Sequence, residues 1–198
     1  MTLSLLLSAA LFSFVTSVTP GPNNTFLLSS GVNFGLKKSL PYVNGIIAGL
    51  IGMMLAIGLG LSAVFAAFPV VYQTLKYVGF AYILYLAFLI IKSTSKSETG
   101  EPKYIGFWKS TTFQFVNPKA WIVVASYMAT FVPLDAGAAL SIGVCAVFLI
   151  ATFPGALVWA ISGQLLRSWL GVPSRRKVFN IVAAVLLVAS MIPVLFLH

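Results

Sequence analysis

The sequence predicts an all-α membrane protein with six transmembrane helices in two inverted three-helix repeats, in which helices 1 and 4 are broken at proline motifs. Of its 198 residues, 60% are hydrophobic and 8% are charged, whereas about 25% of an ordinary soluble domain is charged. The apolar residues fall in runs of membrane-spanning length. A proline motif interrupts one such run in each half of the chain. Together these features indicate an integral membrane protein with no room for a soluble domain.

Six apolar segments are long enough to cross a bilayer, which takes about 20 residues of helix. They are Leu3–Phe34, Leu40–Phe65, Phe68–Ile91, Phe107–Val132, Ala136–Leu166 and Phe179–Leu197. The only linker-like stretch, 93–103, is rich in Ser, Thr, Lys and Glu, and it separates a first repeat at 1–92 from a second at 104–198. Because each half holds three helices, the second half enters the membrane from the opposite face. The repeats are therefore inverted.

The basic residues are distributed by loop rather than gathered on one surface. The net charge is +9, with 12 Lys and Arg residues. Ten of these cations follow the first, third and fifth helices: Lys37, Lys38, Lys92, Lys96, Lys103, Lys109, Arg167, Arg175, Arg176 and Lys177. By the positive-inside rule, this side of the membrane and the linker are cytoplasmic, and both termini are periplasmic. The pattern predicts the lipid bilayer as a partner and no nucleic acid, which would need a basic stripe on one surface.

The first proline motif, Thr19–Asn24 (TPGPNN), lies inside the first apolar segment. Proline donates no backbone hydrogen bond, so Pro20 and Pro22 are expected to free the carbonyls of Thr16 and Val18. Unpaired backbone groups are costly in hydrocarbon and persist there only where protein, water or a ligand supplies partners. A break inside the membrane therefore predicts a polar cavity.

An alternative places this motif at the membrane surface. In that case Leu3–Thr19 crosses the bilayer alone and the prolines lie in a loop. Two observations favour the buried break: the chain continues apolar over 25–32, and the second motif interrupts its own segment near the middle.

The second proline motif, Gln114–Ala120 (QFVNPKA), occupies the corresponding place in the second half. Pro118 lies 98 positions after Pro20 and roughly eleven residues into the fourth segment, and it is expected to free the carbonyl of Gln114. Paired helix breaks in inverted repeats are typical of secondary transporters, which bind substrate near the bilayer midplane between the broken helices.

Lys119 carries a positive charge about halfway along an apolar segment, and intramembrane charges generally mark substrate or ion pathways. The three acidic residues, Glu98, Glu101 and Asp135, belong to the linker and to the far end of the fourth segment, so none is expected to reach it. The carboxylate of a substrate is one possible counter-ion. The alternative is that Lys119 snorkels or binds the carbonyls released by Pro118. The two are compatible if substrate competes with the carbonyls.

The two motifs together define the predicted site. Its substrate-binding residues are Asn23, Asn24, Gln114, Asn117 and Lys119. The residues predicted to shape the broken backbone are Thr19, Pro20, Gly21, Pro22 and Pro118. The amides offer donors and acceptors to the ammonium and side chain of a zwitterion, and N–H groups at each helix restart favour its carboxylate. No catalytic residue, metal ligand or cofactor is predicted.

Small residues recur every three or four positions in the second helix, at Gly45, Gly49, Gly52, Ala56 and Gly60. Such a stripe allows another helix to approach closely. It indicates either packing within the monomer or the seam of a homodimer.

Two other classes of function compete with transport by a carrier. A membrane enzyme lacks an evident catalytic set, since the only histidine is His198, and Ser126 and Ser162 have no base unless Lys119 serves as one. An anion-selective channel would also suit a polar cavity with a lysine at the midplane.

With these motifs the chain resembles the LysE superfamily of amino-acid exporters, and within it the RhtB family (resistance to homoserine and threonine). The matching elements are TPGPNN, QFVNPKA and, in the third helix, Gly79-Phe80-Ala81-Tyr82 with Leu86-Ala87. Their order and spacing and the total length agree along the full chain. The QFVN version of the second motif looks closest to the cysteine/O-acetylserine exporters of that family.

The resemblance implies a secondary transporter of the bacterial inner membrane that draws on the proton-motive force. It would export small neutral or cationic amino acids or their derivatives, of the cysteine, O-acetylserine, homoserine or threonine type. Because no carboxylate is expected inside the membrane, coupling would run either through titration of Lys119 or through water and the substrate. We expect the first and fourth helices to hold the substrate while the halves rock about it.

Overall fold

The computed structural model describes residues 3–61, 69–92, 104–132 and 137–189. The α-helices in these ranges are α1 Leu3–Val18, α2 Pro22–Phe34, α3 Leu36–Ala56, α4 Pro69–Lys92, α5 Phe107–Val116, α6 Pro118–Phe131, α7 Ala138–Leu166 and α8 Pro173–Ala189. A π-helical turn, Ile57–Leu61, follows α3, and a 3-10 turn, Trp169–Gly171, precedes α8. The described part of the chain is thus all-α, as the sequence predicts.

Both predicted helix breaks are present. α1 ends at Val18 and α2 begins at Pro22, with a bend of 62° between the two helices. Asn117 separates α5 from α6 in an extended conformation, with φ of −93° and ψ of 102°. Pro22 and Pro118 are each the first residue of the restarting helix, a position where the backbone N–H has no partner within the helix. Each break is therefore a helix end followed by a proline-initiated helix.

Helices of membrane-spanning length lie within the described ranges. By length and composition, Leu36–Gly60 and Ala138–Leu166 could each cross a bilayer, and the bent pair of α1 and α2 adds a third crossing if it counts as one span. The predicted linker at 93–103 and parts of the predicted segments, at 62–65, 68, 136 and 190–197, lie outside the described residues.

Two helices begin earlier than hydropathy predicts. α3 begins at Leu36 rather than Leu40, because Gly35 ends α2 with a φ of 79°, a backbone conformation that favours glycine. The Leu36 N–H then donates to Gln164 Oε1 at 2.6 Å, which satisfies one amide at the helix start. α8 likewise begins at Pro173, before the predicted Phe179. Exposed basic side chains lower the hydropathy of these first turns but do not interrupt the helix.

α7 packs against both halves of the first broken segment, α1 and α2. Glycines make this approach possible: a Cβ at Gly155 would collide with the Ser17 side chain, and one at Gly163 would collide with the Leu28 carbonyl. From the other side, Gly31 lies against the backbone of α7. α3 packs in the same manner against both halves of the second broken segment, α5 and α6, and α4 packs against α8.

The small residues of α3 are used inside the monomer. A Cβ at Gly45 would collide with the backbone of α5, one at Gly49 with the Gln114 side chain, and one at Gly52 would lie 2.9 Å from the Phe115 ring. Intramolecular packing is therefore confirmed for these three glycines. The homodimer stays a prediction.

Candidate functional site

Lys119 connects the two helix breaks. Its Nζ donates hydrogen bonds to the carbonyl oxygens of Thr19 at 2.9 Å and Pro20 at 2.8 Å. Lys119 lies in the first turn of α6, and its two acceptors lie between α1 and α2. The ammonium thus binds carbonyls of the opposite break, and not those released by Pro118 as one alternative held.

Amide and indole side chains satisfy other carbonyls at the breaks. Asn24 Nδ2 donates to the carbonyls of Ser17 and Thr19, both at 2.7 Å. At the second break, Trp121 Nε1 donates to the Phe115 carbonyl at 2.9 Å. These bonds explain how a non-helical backbone persists among apolar helices.

The prediction that Pro118 frees the Gln114 carbonyl is wrong. The N–H of Asn117 donates to that carbonyl at 3.1 Å and closes a tight final turn of α5. The chain then becomes extended at Asn117, so the proline starts a new helix instead of interrupting an old one. At the two breaks, side chains donate to the carbonyls of Ser17, Thr19, Pro20, Gly21 and Phe115.

Asn23 and Gln114 form a reciprocal amide pair between the breaks. Asn23 Nδ2 donates to Gln114 Oε1 at 2.8 Å, and Gln114 Nε2 donates to Asn23 Oδ1 at 3.0 Å. Gln114 Nε2 also donates to the Ser110 carbonyl at 2.9 Å, and its side chain is fully buried. Ser110 Oγ in turn donates to the Tyr42 carbonyl of α3 at 2.8 Å. Polar contacts therefore link α2, α5 and α3 beside the breaks.

A cavity of about 70 Å³ lies between the breaks. This volume is enough for several water molecules. Six of the predicted site residues line it: Gly21, Pro22, Asn23, Asn24, Asn117 and Lys119. The other four predicted residues do not line the cavity. Gln114 is hydrogen-bonded to Asn23, and Pro118 is buried. Thr19 and Pro20 contribute the carbonyls that bind Lys119.

The helices α3 and α7 form further walls of the cavity. α3 contributes the apolar side chains of Ile46 and Leu50, and α7 contributes Phe148, Thr152 and Ala156. The sequence analysis does not single out Thr152. The one available signal is its position two residues before Pro154, a proline inside α7.

Two buried polar atoms at this cavity lack a hydrogen-bond partner among the described residues. They are Asn117 Oδ1 and Thr152 Oγ1. The two side chains are only 2% and 7% exposed, respectively. Most buried polar groups in proteins are hydrogen-bonded, so these two are available to a bound water or ligand.

The charge of Lys119 is offset by backbone carbonyls. The three acidic residues of the chain, Glu98, Glu101 and Asp135, all fall outside the described residues. The close fit of the ammonium also involves Gly21, since a Cβ there would lie 2.9 Å from Lys119 Nζ. The lysine is thus held by carbonyl dipoles beside a glycine that leaves room for it.

Comparison with known proteins assigns the family. The model of the family described as LysE type translocator matches residues 14–195. The chain is 35% identical over 188 residues to the cysteine/O-acetylserine efflux protein of Salmonella typhimurium (strain LT2), covering 93% of this chain and 94% of that protein. It is 34% identical over 199 residues to the protein of the same name from Escherichia coli (strain K12), covering 99% and 100%. No solved structure matches the chain.

The family match spans most of the chain, including both proline motifs. The family is one of translocators, so the protein is a transporter and not an enzyme. This chain belongs to the family of LysE type translocators.

Proposed function

We propose that this protein exports small amino acids or their derivatives from the bacterial cytoplasm, by alternating access around a site between the two helix breaks. The observation that carries the proposal is the position of Lys119, whose ammonium lies at a polar cavity and binds carbonyls of the opposite break. The relatives named as cysteine/O-acetylserine efflux proteins support a substrate of that type.

The polar groups at the cavity suit the carboxylate of an amino acid. A lysine ammonium has three donors, and two of those of Lys119 go to the carbonyls of Thr19 and Pro20. The third can form the first bond to a substrate carboxylate, which then competes with the two carbonyls for the other donors. Asn23 and Asn24 lie in the first turn of α2, where backbone N–H groups have no partner in the helix and the helix dipole favours an anion.

The amide side chains have different roles in this proposal. Asn23 and Asn24 line the cavity and contact substrate, and Asn117 offers an unpaired oxygen to it. Gln114 acts as a positioning residue, because its amide is already bonded to Asn23 and to the Ser110 carbonyl.

Helix lengths support a site near the bilayer midplane. α5 and α6 have 10 and 14 residues, or about 15 and 21 Å of helix at 1.5 Å per residue. Asn117 between them would lie near the middle of a hydrocarbon core about 30 Å thick. Because Lys119 contacts the carbonyls of Thr19 and Pro20, the first break lies at the same depth. The shared depth of the two breaks favours a first proline motif inside the membrane over one in a surface loop.

Helix packing supports two inverted three-helix repeats. In that topology each broken segment corresponds to the other, α3 corresponds to α7, and α4 corresponds to α8. Exchanging corresponding helices leaves these contacts in place. α7 packs on both halves of the first broken segment, and α3 packs on both halves of the second. The corresponding helices also contact each other, α3 with α7 and α4 with α8. Six spans with both termini periplasmic would place Lys37, Lys109 and Arg175, at the starts of α3, α5 and α8, on the cytoplasmic side.

The bonds of Lys119 suggest how substrate drives the transition. In this structure the ammonium binds the first break and so ties one repeat to the other. A substrate carboxylate competes with those carbonyls for the ammonium. Substrate then binds with different affinity to the state in which Lys119 is bonded to the carbonyls and to the state in which it is not. A ligand shifts a conformational equilibrium only if its affinities for the two states differ. The halves rock apart on one side and close on the other.

Transport in proteoliposomes tests the proposal. Purified protein should give saturable counterflow of L-cysteine or O-acetyl-L-serine, with homoserine, threonine and lysine as comparison substrates, and a protonophore should reduce uphill transport. Lys119→Ala should abolish counterflow while membrane insertion is intact. Lys38→Ala is the matched control, because that lysine is exposed at the start of α3. Non-saturable flux of inorganic anions would favour the channel, and full activity of Lys119→Ala would remove the lysine from the mechanism.

A further inference from the structure

We infer that Thr152 is a specificity-determining residue whose hydroxyl, together with Asn117 Oδ1, binds the α-ammonium group of the substrate. The inference rests on the proposed function and adds a residue and a ligand group to the same site. The Thr152 hydroxyl is in an unusual state, because it lines the cavity but has no partner among the described residues.

Several threonine hydroxyls in the described helices bond to a carbonyl of their own helix. Thr16 donates to the Phe12 carbonyl at 2.8 Å, and Thr111 donates to the Phe107 carbonyl at 2.9 Å. This is the usual behaviour of threonine inside a helix. Thr152 lies mid-helix in α7 and makes no such bond in the described structure. Its hydroxyl is therefore free to bind a group in the cavity.

Leaving such a hydroxyl unpaired is unfavourable. A buried polar group without a partner loses its hydration and gains nothing in exchange, whereas an apolar group of the same shape avoids that loss. Valine has nearly the shape of threonine and would fit the middle of α7, where the neighbouring residues are apolar. Thr152 is 7% exposed and Asn117 is 2% exposed, so both carry this cost unless a group in the cavity bonds to them. A ligand that bonds to both removes it.

The chemical class of that ligand follows from the cavity wall. Asn117 Oδ1 and Thr152 Oγ1 can both accept hydrogen bonds, as an ammonium group requires, and Lys119 has a donor for a carboxylate. Ile46 and Leu50 form an apolar wall of the cavity. The arrangement fits an α-amino acid with a free ammonium, a free carboxylate and a short uncharged side chain.

Paired ligands test the assignment. In proteoliposomes reconstituted with wild-type or Thr152→Val protein, L-cysteine counterflow gives the KM for the amino acid. Inhibition of that counterflow by 3-mercaptopropionate gives the affinity for the same molecule without its ammonium. Thr152→Val should raise the KM for cysteine about tenfold, as expected for one hydrogen bond to a charged group, and leave the inhibition constant of 3-mercaptopropionate unchanged. Thr152→Ser should restore most of the affinity.

The controls separate this inference from the function on which it rests. Thr111→Val removes a hydroxyl that is bonded within α5 and should leave the KM unchanged. Thermal unfolding should show Thr152→Val to be at least as stable as the wild type. An active wild type with unchanged KM in Thr152→Val, or equal losses for both ligands, would overturn the ammonium assignment alone. A wild type that carries no amino acid would overturn the proposed function, and the assignment with it.

Discussion

Lys119 Nζ lies 2.9 Å from the carbonyl oxygen of Thr19, although the two residues are 100 positions apart in the chain. This contact joins the start of α6 to the end of α1, and the neighbouring Pro20 carbonyl is bound at 2.8 Å. Lys119 is half-buried, and an ammonium that is partly removed from water normally requires an anion or several dipoles. Here the broken backbone of the first half supplies the dipoles that stabilise the ammonium of the second half. The ammonium in turn gives hydrogen bonds to carbonyls that the break leaves unpaired.

Gly21→Ala should impair transport through Lys119. The added Cβ would lie 2.9 Å from Nζ and 3.0 Å from Cδ of that lysine, so the lysine side chain must shift and its bonds to the two carbonyls should weaken. We expect counterflow to fall by about tenfold or more, the equivalent of one charged hydrogen bond. Gly137→Ala is the control, since a Cβ there meets nothing within 4 Å. Equal activity of both variants would show that the fit at Gly21 is unimportant.

The amide pair of Asn23 and Gln114 should contribute to stability as a unit. Asn23→Ala leaves the buried Gln114 amide without two of its hydrogen bonds, at a cost of about 1–3 kcal/mol. Gln114→Ala should cost at least as much, because Gln114 is fully buried. The double variant should cost less than the sum by about 1 kcal/mol, since the contact can be lost only once. Thermal unfolding in detergent measures the stability of the two single variants and the double variant. Asn44→Ala, at an exposed position, is the control. Strictly additive losses would show that the two side chains do not stabilise each other.

Gly163→Ala should destabilise the packing of α7 on α2. The added Cβ would collide with the Leu28 carbonyl, which belongs to a helix backbone and cannot rotate away as a side chain can. Overpacking of this kind costs about 1–3 kcal/mol. Gly171→Ala, at a position with open space around it, is the matched control in the same unfolding assay. An unchanged unfolding temperature in Gly163→Ala would show that α7 and α2 can move apart to admit the methyl group without loss of stability.

The helices and their breaks could be predicted from sequence because their causes are local. Apolar runs specify the helices, and each proline motif specifies a restart. The exact ends could not be predicted so well. α3 begins at Leu36, directly after Gly35, and the Gln164 side chain, 128 positions away, accepts the Leu36 N–H. Hydropathy carries no information about such a partner.

The composition of the candidate site was predicted in part. Asn23, Asn24, Asn117 and Lys119 line the cavity, which their place beside the prolines indicates. The alternative that Lys119 binds the carbonyls released by Pro118 is wrong, since the tertiary fold brings the Thr19 carbonyl to it. Binding of a substrate carboxylate stays a prediction. Thr152 escaped notice for a related reason: in an apolar helix a threonine usually bonds to its own backbone, and its unpaired state is visible only in the folded structure.

Transport by the proposed site depends on recognition of the substrate carboxylate by Lys119, and a pair of substrates can test that recognition. In the counterflow assay, L-cysteine presents a charged carboxylate and L-cysteinamide presents a neutral carboxamide in its place. Wild-type protein should bind cysteine about tenfold or more tightly than the amide, and Lys119→Met should bind the two equally. If Lys119→Met keeps the full preference for cysteine, the lysine does not bind the carboxylate and the account is contradicted.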